Sequence, residues 1–314
     1  MEFLSKTVTE RESGKTAADV LKSTFAVSES YLRRLKRRSG ALLLNGEPVY
    51  TTHIVSPGDV VSFDPADPER LPIRPIDAPP AVVYEDEWLL VLDKPKNIGV
   101  HPDRDPNAPS IENILAAYFT GRDNPHPVSR LDKGTTGLLT VAKSGFIHAR
   151  MKTIQHAGAF RKTYLALVSG VPKETRFTVD APIGPEDGSR YKQSVRTDGA
   201  PAMTECETVA AFNGYSLVRL TPHTGRTHQI RIHMAYAGYP LIGDWLYGKR
   251  SDLIDRPALH AAELGFAHPI TGETLSLCAP LPPDMARLLP DRTDADLPSC
   301  SDTEPKPDQR RRIP

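Results

Sequence analysis

Apolar and polar positions alternate along this chain in blocks that change period. Between residues 16 and 25, Ala17, Val20 and Leu21 recur at the spacing of one helix face. Ser28 can cap a second helix over residues 29–38, with Leu32 and Leu35 turned inward. Residues 41–44, the pair Asn45-Gly46 and Val49 then carry a hairpin signal, because Asn-Gly tolerates the left-handed conformations of a tight turn. Pro57-Gly58-Asp59 turns the chain into an apolar strand over 60–63. Residues 1–13 read as a flexible lead or a first edge strand. Two helices and a small sheet thus predict a compact module over 1–63.

Residues 64–80 hold Pro65, Pro68, Pro72, Pro75, Pro79 and Pro80, a density that sustains neither a helix nor a central strand and predicts a stiff linker. Beyond it, strands are expected at 81–84, 88–93, 138–142, 161–168, 203–212, 215–221 and 274–278. Helices are expected at 110–120, 144–156 and 227–237, the last two closed by Gly158 and Gly238. Strands dominate and helices are interspersed, so the expected class is α+β with a mixed, mostly antiparallel sheet over 81–289. From residue 290 to 314 the chain is polar and proline-rich, and predicts a disordered tail.

Charge changes the picture locally. The formal net charge of the 314 residues is +0, so an anionic partner must be held by patches rather than by a global field. One such patch is evident: Arg33, Arg34, Lys36, Arg37 and Arg38 crowd the second helix, a repulsion that a polyanion such as RNA relieves. Cys206, Cys278 and Cys300 are scattered without a C-x-x-C pair, which argues against a disulfide framework or a cysteine zinc site. The N-terminus lacks a signal-peptide pattern, and no apolar run approaches the ~20 residues of a membrane span. A cytoplasmic protein is expected, with monomer as the default state.

Three stretches carry candidate chemistry. In 126–139, Asp132 follows Arg130-Leu131 and precedes a Gly/Thr turn, Gly134 to Gly137, that leads into an apolar strand. A carboxylate at such a junction is held by the backbone yet open to a cleft. In 223–234, Gly225 permits a strand-to-helix turn, with Arg226 at the helix start and His228 and Arg231 on one face. His228 and His233 are five apart with no acid placed as in H-E-x-x-H, so no metal site is expected. In 162–168, Lys162 and Tyr164 share one face of a strand, where a tyrosine can stack on a base.

Together these pieces resemble the RluA-type pseudouridine synthases. The resemblance rests on Lys94-Pro95 with His101-Pro102, on Arg130-Leu131-Asp132 with Thr135-Thr136-Gly137-Leu138-Leu139, and on Lys162-x-Tyr164. It continues through Thr224-Gly225-Arg226-Thr227-His228-Gln229-Ile230-Arg231-Ile232-His233, Gly243-Asp244 with Tyr247-Gly248, Leu259-His260-Ala261 and His268-Pro269. Residues 14–63 resemble the alpha-L type RNA-binding domain fused to many members. Two positions depart from the family pattern: Ser129 stands where His is common, and Thr136 where Ser is usual.

The resemblance implies an isomerase that detaches uracil from its ribose, turns it and rejoins it through carbon 5, without a cofactor or metal. It implies Asp132 as the essential carboxylate, acting as a nucleophile or as a base toward a ribose proton. Both routes need the acid ionised, hence a nearby cation, for which Arg231 is the match. Tyr164 would act as a catalytic residue that stacks on the base and assists proton removal from carbon 5. Arg130, Leu131, Thr135, Gly137, Arg226, His228 and Leu259 would line the substrate pocket, and Lys162 would join the basic helix in holding RNA. The expected substrate is 23S ribosomal RNA. The alternatives are transfer RNA, or a non-catalytic RNA-binding ribosome-assembly factor on the same scaffold, against which the intact Asp132, Tyr164 and Arg231 set argues.

Overall fold

The computed structural model describes residues 2–67, 71–102, 108–120, 123–189 and 192–289. The expected disordered tail, 290–314, lies outside the described residues. In the N-terminal part, β1 (Leu4–Thr7) is followed by α1 (Ala17–Phe25), α2 (Glu29–Leu35), β2 (Leu42–Leu44), β3 (Glu47–Pro48) and β4 (Val60–Phe63). Thr16 and Ser28 cap the two helices through their side chains. The four strands pair in the order β1-β4-β2-β3, and Asn45 and Gly46 take the positive φ values, 52° and 88°, that the hairpin turn demands.

The helix expected over 29–38 ends at Leu35. Arg38 leaves it and turns inward, pairing with Asp64 at 2.5 Å and donating to the carbonyls of Asp64 and Ala66. Arg33, Arg34, Lys36 and Arg37 stay exposed. Of the five cations assigned to RNA on this helix, Arg38 is therefore spent on holding the start of the linker.

The larger part contains β5 (Val82–Glu85), β6 (Leu89–Lys94), α3 (Ile111–Tyr118), β7 (His126–Pro127), β8 (Thr136–Ala142), α4 (Gly145–His156), β9 (Arg161–Ser169), β10 (Arg176–Asp180), β11 (Ile183–Pro185) and β12 (Gln193–Val195). It continues with β13 (Met203–Ala211), β14 (Tyr215–Pro222), α5 (Gln229–Tyr236), β15 (Leu259–Ala267), β16 (Thr274–Cys278) and α6 (Pro283–Ala286). The main sheet has ten strands, eight of them in the order β10-β13-β14-β9-β15-β8-β6-β5, with β16 beside β15 and β7 beside β8. Every pairing in it is antiparallel except β15 with β8, so the fold is the mixed, mostly antiparallel α+β arrangement expected. β15, at the centre of the sheet, was not anticipated as a strand.

Alternation along the strands separates two apolar layers. Leu89, Val91 and Leu138 face α4, while Leu90, Leu92, Leu139, Val141 and Tyr164 face α3 and α5. The layer under α4 continues without a break into the N-terminal part. Phe146 of α4 packs at a tilt against Tyr31 and edge-to-face against Phe63, each with ring centroids 5.3 Å apart, and Val20, Leu21 and Leu35 belong to the same cluster. The expected boundary at residue 63 is thus not a break in packing.

The proline-rich segment likewise lies against the sheet domain as a strap. Asp67 accepts hydrogen bonds from His126, Asn124 and the Gly145 amide at the start of α4. The Asn124 side chain accepts from Leu71 N–H, and Asn113 donates to the Arg74 carbonyl. An irregular chain cannot satisfy its own backbone groups, and these side chains do it instead. Among the described residues, Cys206 is a buried free thiol. Among the described residues, no helix is long and apolar enough to cross a membrane.

Candidate active site

The Asp132 turn precedes β8, and its Thr135 N–H donates to the Asp132 carbonyl at 3.0 Å. β8 leaves this turn with Gly137 at φ 103°, alongside β15. A Cβ at Gly137 would stand 2.3 Å from the Ala261 carbonyl oxygen, so only glycine lets the two parallel strands approach this closely. The assignment of Gly137 to the pocket is thus explained by strand contact. Thr136 Oγ1 pairs with His260 Nδ1 at 2.9 Å on the same seam, and Thr135 is buried beside it.

The Asp132 side chain is 20% exposed, and Arg231 Nη1 donates to its Oδ2 at 3.1 Å. The other two nitrogens of Arg231 make a bidentate pair with Asp244, at 2.7 and 2.8 Å. Asp244 is fully buried, and its Oδ1 also accepts from the amides of Leu246 and Tyr247. Burial works against the charge of Arg231, but the two carboxylates outweigh it and hold its pKa above the ordinary value. The Arg231 guanidinium also lies 5.1 Å from the Tyr247 ring centroid.

His228 completes this side of the cleft. Its Nδ1 pairs with the Tyr247 hydroxyl at 2.9 Å and its Nε2 lies 3.9 Å from Asp132 Oδ2. Burial lowers its pKa, against the opposing pull of Asp132, so the imidazole is neutral at pH 7. His228 adopts φ 56°, and the helix begins at Gln229 rather than at the expected Thr227. The left-handed residue of this turn is His228, and Gly225 keeps a negative or extended φ. The Gln229 side chain accepts from Arg226 N–H and Thr224 Oγ1 and donates to Met203 O, tying the turn to β13.

Tyr164 on β9 is buried, in one apolar cluster with Leu131, Ile230 and Leu259. Burial, reinforced by the charge of Asp132, pushes its phenol well above the ordinary tyrosine range. The group is kept protonated, suited to stacking or donating and not to service as a resting base. Arg130 is exposed. Arg226 is exposed too and spends its Nε on the Pro201 carbonyl, a loop-shaping contact. Lys162 stands apart from the acid. It is half-buried with its ammonium 5.2 Å from the Phe160 ring centroid, and burial brings its pKa down to about 8.

The structure adds residues to which sequence reasoning gave no role. Asp244 and Tyr247 were visible only as parts of a motif. Lys94, fully buried at the end of β6, donates to the carbonyls of Pro95, Ile98 and Lys133, and so holds the residue after Asp132. The signal for it was a lysine closing a strand that opens on four apolar residues, Leu-Leu-Val-Leu-Asp-Lys. The three histidines of residues 223–234 diverge: His223 pairs with Glu205, His228 with Tyr247, and His233 with Thr204 and the Ala181 carbonyl. Among the described residues, no group of three or more His, Cys, Asp or Glu side chains is placed to hold a metal ion.

The turn before β8 and the helix α5 thus bring a carboxylate, Asp132, and an arginine, Arg231, together beside the buried Tyr164. A family model described as RNA pseudouridylate synthase matches residues 88–236. The chain is 38% identical over 271 residues to the uncharacterized RNA pseudouridine synthase YjbO of Bacillus subtilis (strain 168), covering 84% of this chain and 95% of that protein. It is 34% identical over 310 residues to ribosomal large subunit pseudouridine synthase D of Vibrio parahaemolyticus, covering 91% and 93% respectively. Among solved structures, human RNA pseudouridylate synthase domain containing 1 matches with a TM-score of 0.53 and 27% identity, over 64% of this chain and 83% of that one. The chain belongs to the RluA-type family of RNA pseudouridine synthases.

Proposed function

We propose that this enzyme isomerises specific uridines of large-subunit ribosomal RNA in the cytoplasm, with Asp132 as the essential acid. The observation that carries the reading is the charge chain Asp132–Arg231–Asp244. Asp244 orients Arg231 and balances its charge, and Arg231 in turn donates a charge-assisted hydrogen bond to Asp132. The contacts from Arg231 and His228 both fall on Oδ2, and the reading gives Oδ1 to the ribose. Tyr164, Leu131 and Leu259 would form the apolar wall on which the detached uracil turns. A target uridine must leave its stack, at a cost of a few kcal/mol. Arg130, Arg33, Arg34, Lys36 and Arg37 are exposed cations that can offset this through phosphate contacts. The likeness of residues 14–63 to an alpha-L type RNA-binding domain and the name of the Vibrio relative favour ribosomal RNA.

The test is tritium release from transcripts labelled at uracil carbon 5, with ribosomal and transfer RNA in separate reactions. Wild type should release tritium from the large-subunit transcript, and Asp132→Asn should bind that RNA without releasing any. Release by Asp132→Asn would overturn the assignment of the acid, and release from transfer RNA alone would overturn the substrate.

A further inference from the structure

We propose that Arg256 is a positioning residue for the isomerisation: with its neighbours it fixes the spacing between the Asp132 turn and the Asp244 turn, and so the contact of Arg231 with Asp132. The inference rests on the reading of Asp132 as the essential acid. Arg256 has only 1% of its side chain exposed, and all three of its guanidinium nitrogens are engaged. Nη1 donates to the Gly134 carbonyl, two residues past Asp132, at 2.9 Å, and to the carbonyls of Pro257 and Leu259 at 3.2 and 3.1 Å. Nε and Nη2 make a bidentate pair with Asp284, on α6, at 2.9 and 2.8 Å.

The backbone around Arg256 touches both arms of the site. A Cβ on Gly134 would lie 3.1 Å from Pro257 Cδ, so the Asp132 turn rests directly on this segment. On the other side, a Cβ on Gly243 would lie 2.3 Å from the Arg256 carbonyl oxygen, and Gly243 immediately precedes Asp244. Ala258 N–H donates to the Ile242 carbonyl at 2.9 Å, which fixes that second approach. One short stretch, 254–258, is thus wedged between the turn that bears the acid and the turn that bears the partner of its arginine. Asp284 anchors the wedge, and Lys96 bridges Asp255 and Asp284 outside it, at 3.1 and 3.6 Å.

The chemistry of the side chain matters here. A planar guanidinium can grip a carboxylate with one edge and carbonyls with another, and an ammonium cannot span both. Loosening it should let the acid drift relative to Arg231, and a misplacement of about 1 Å costs on the order of 10²-fold in rate.

The experiment measures single-turnover rate constants on unmodified large-subunit transcript, with enzyme saturating and in excess, beside RNA affinity and thermal midpoint. The variants are Arg256→Lys, Asp284→Asn, both together, and Asp132→Asn. We expect the Arg256→Lys rate constant to fall roughly 10²-fold with RNA affinity unchanged, Asp284→Asn to fall less, and the double variant to be no slower than Arg256→Lys. A merely structural role would lower the midpoint and leave the rate constant at the wild-type value, because unfolded enzyme does not alter it under these conditions. That result, with Asp132→Asn inactive, would overturn the proposal and leave the catalytic assignment standing. An active Asp132→Asn would remove both. If Arg256→Lys fails to fold, Asp284→Asn decides, and a wild-type rate constant in it overturns the proposal.

Discussion

Arg231 serves two carboxylates unequally. Asp244 is buried and takes two hydrogen bonds from it, whereas Asp132 is partly open and takes one. Replacing Arg231 by Ala should therefore do two separable things. It leaves Asp244 as an uncompensated buried charge, which costs about 3–5 kcal/mol of stability. It also strips the cation from Asp132, which should slow the folded enzyme by at least ~10²-fold, the scale of one lost electrostatic contact in a site. Thermal melts and single-turnover rates below the melting range separate the two, and RNA affinity should change little. A loss confined to affinity would move Arg231 to a binding role.

At this scale the sequence was legible where chemistry is local. Asp132 announced itself by its turn and Arg231 by a ten-residue signature. Lys94 and Arg256 did not, because part of their meaning lies in partners far along the chain; Lys94 and Lys133 are 39 residues apart, and Arg256 and Gly134 122. No spacing rule records such a contact. Arg38 failed in the opposite sense, since its place in a run of cations concealed that Asp64 claims it.

At the scale of elements, β15 is the instructive miss. Its sequence, Leu-His-Ala-Ala-Glu-Leu-Gly-Phe-Ala, is poor in the branched and aromatic residues that mark strands. It is a strand because it is buried between β8 and β9, where small residues allow the close parallel approach at Gly137. His260 on it is buried and neutral, with its pKa lowered from 6.5 to about 4 by burial. Between those two values the unfolded chain binds a proton that the folded one refuses. Stability is therefore lost as pH falls from 6.5 toward 4, by at most about 1.4 kcal/mol per pH unit from this group. His260→Gln should melt less differently at pH 7 and pH 5 than wild type does, and an equal pH response in the two proteins would show that His260 is protonated without cost.

The whole molecule is more integrated than its sequence suggests. The hydrophobic pattern marked a small module, a proline-rich spacer and a large domain. What it could not mark is that Phe146 of the large domain packs into the small module through Tyr31 and Phe63. Wild type should unfold in a single calorimetric transition across residues 2–289. Phe146→Ala, at a cost of about 3–5 kcal/mol, should raise amide exchange in α1 and α2 before the sheet opens. Two transitions in wild type would show the module to be independently stable.

The place of β15 in the sheet has a consequence for the order in which the enzyme comes into being. Asp132 belongs with β5, β6 and β8, while Tyr164 and the approach to Arg231 belong with β9, β13 and β14. The sheet joins these halves through residues 259–267, which a ribosome makes after all the others named here. Until then a growing chain carries two half-sheets with open edges and an acid without its arginine. An unfinished copy thus carries its exposed N-terminal cations before its two half-sheets are joined.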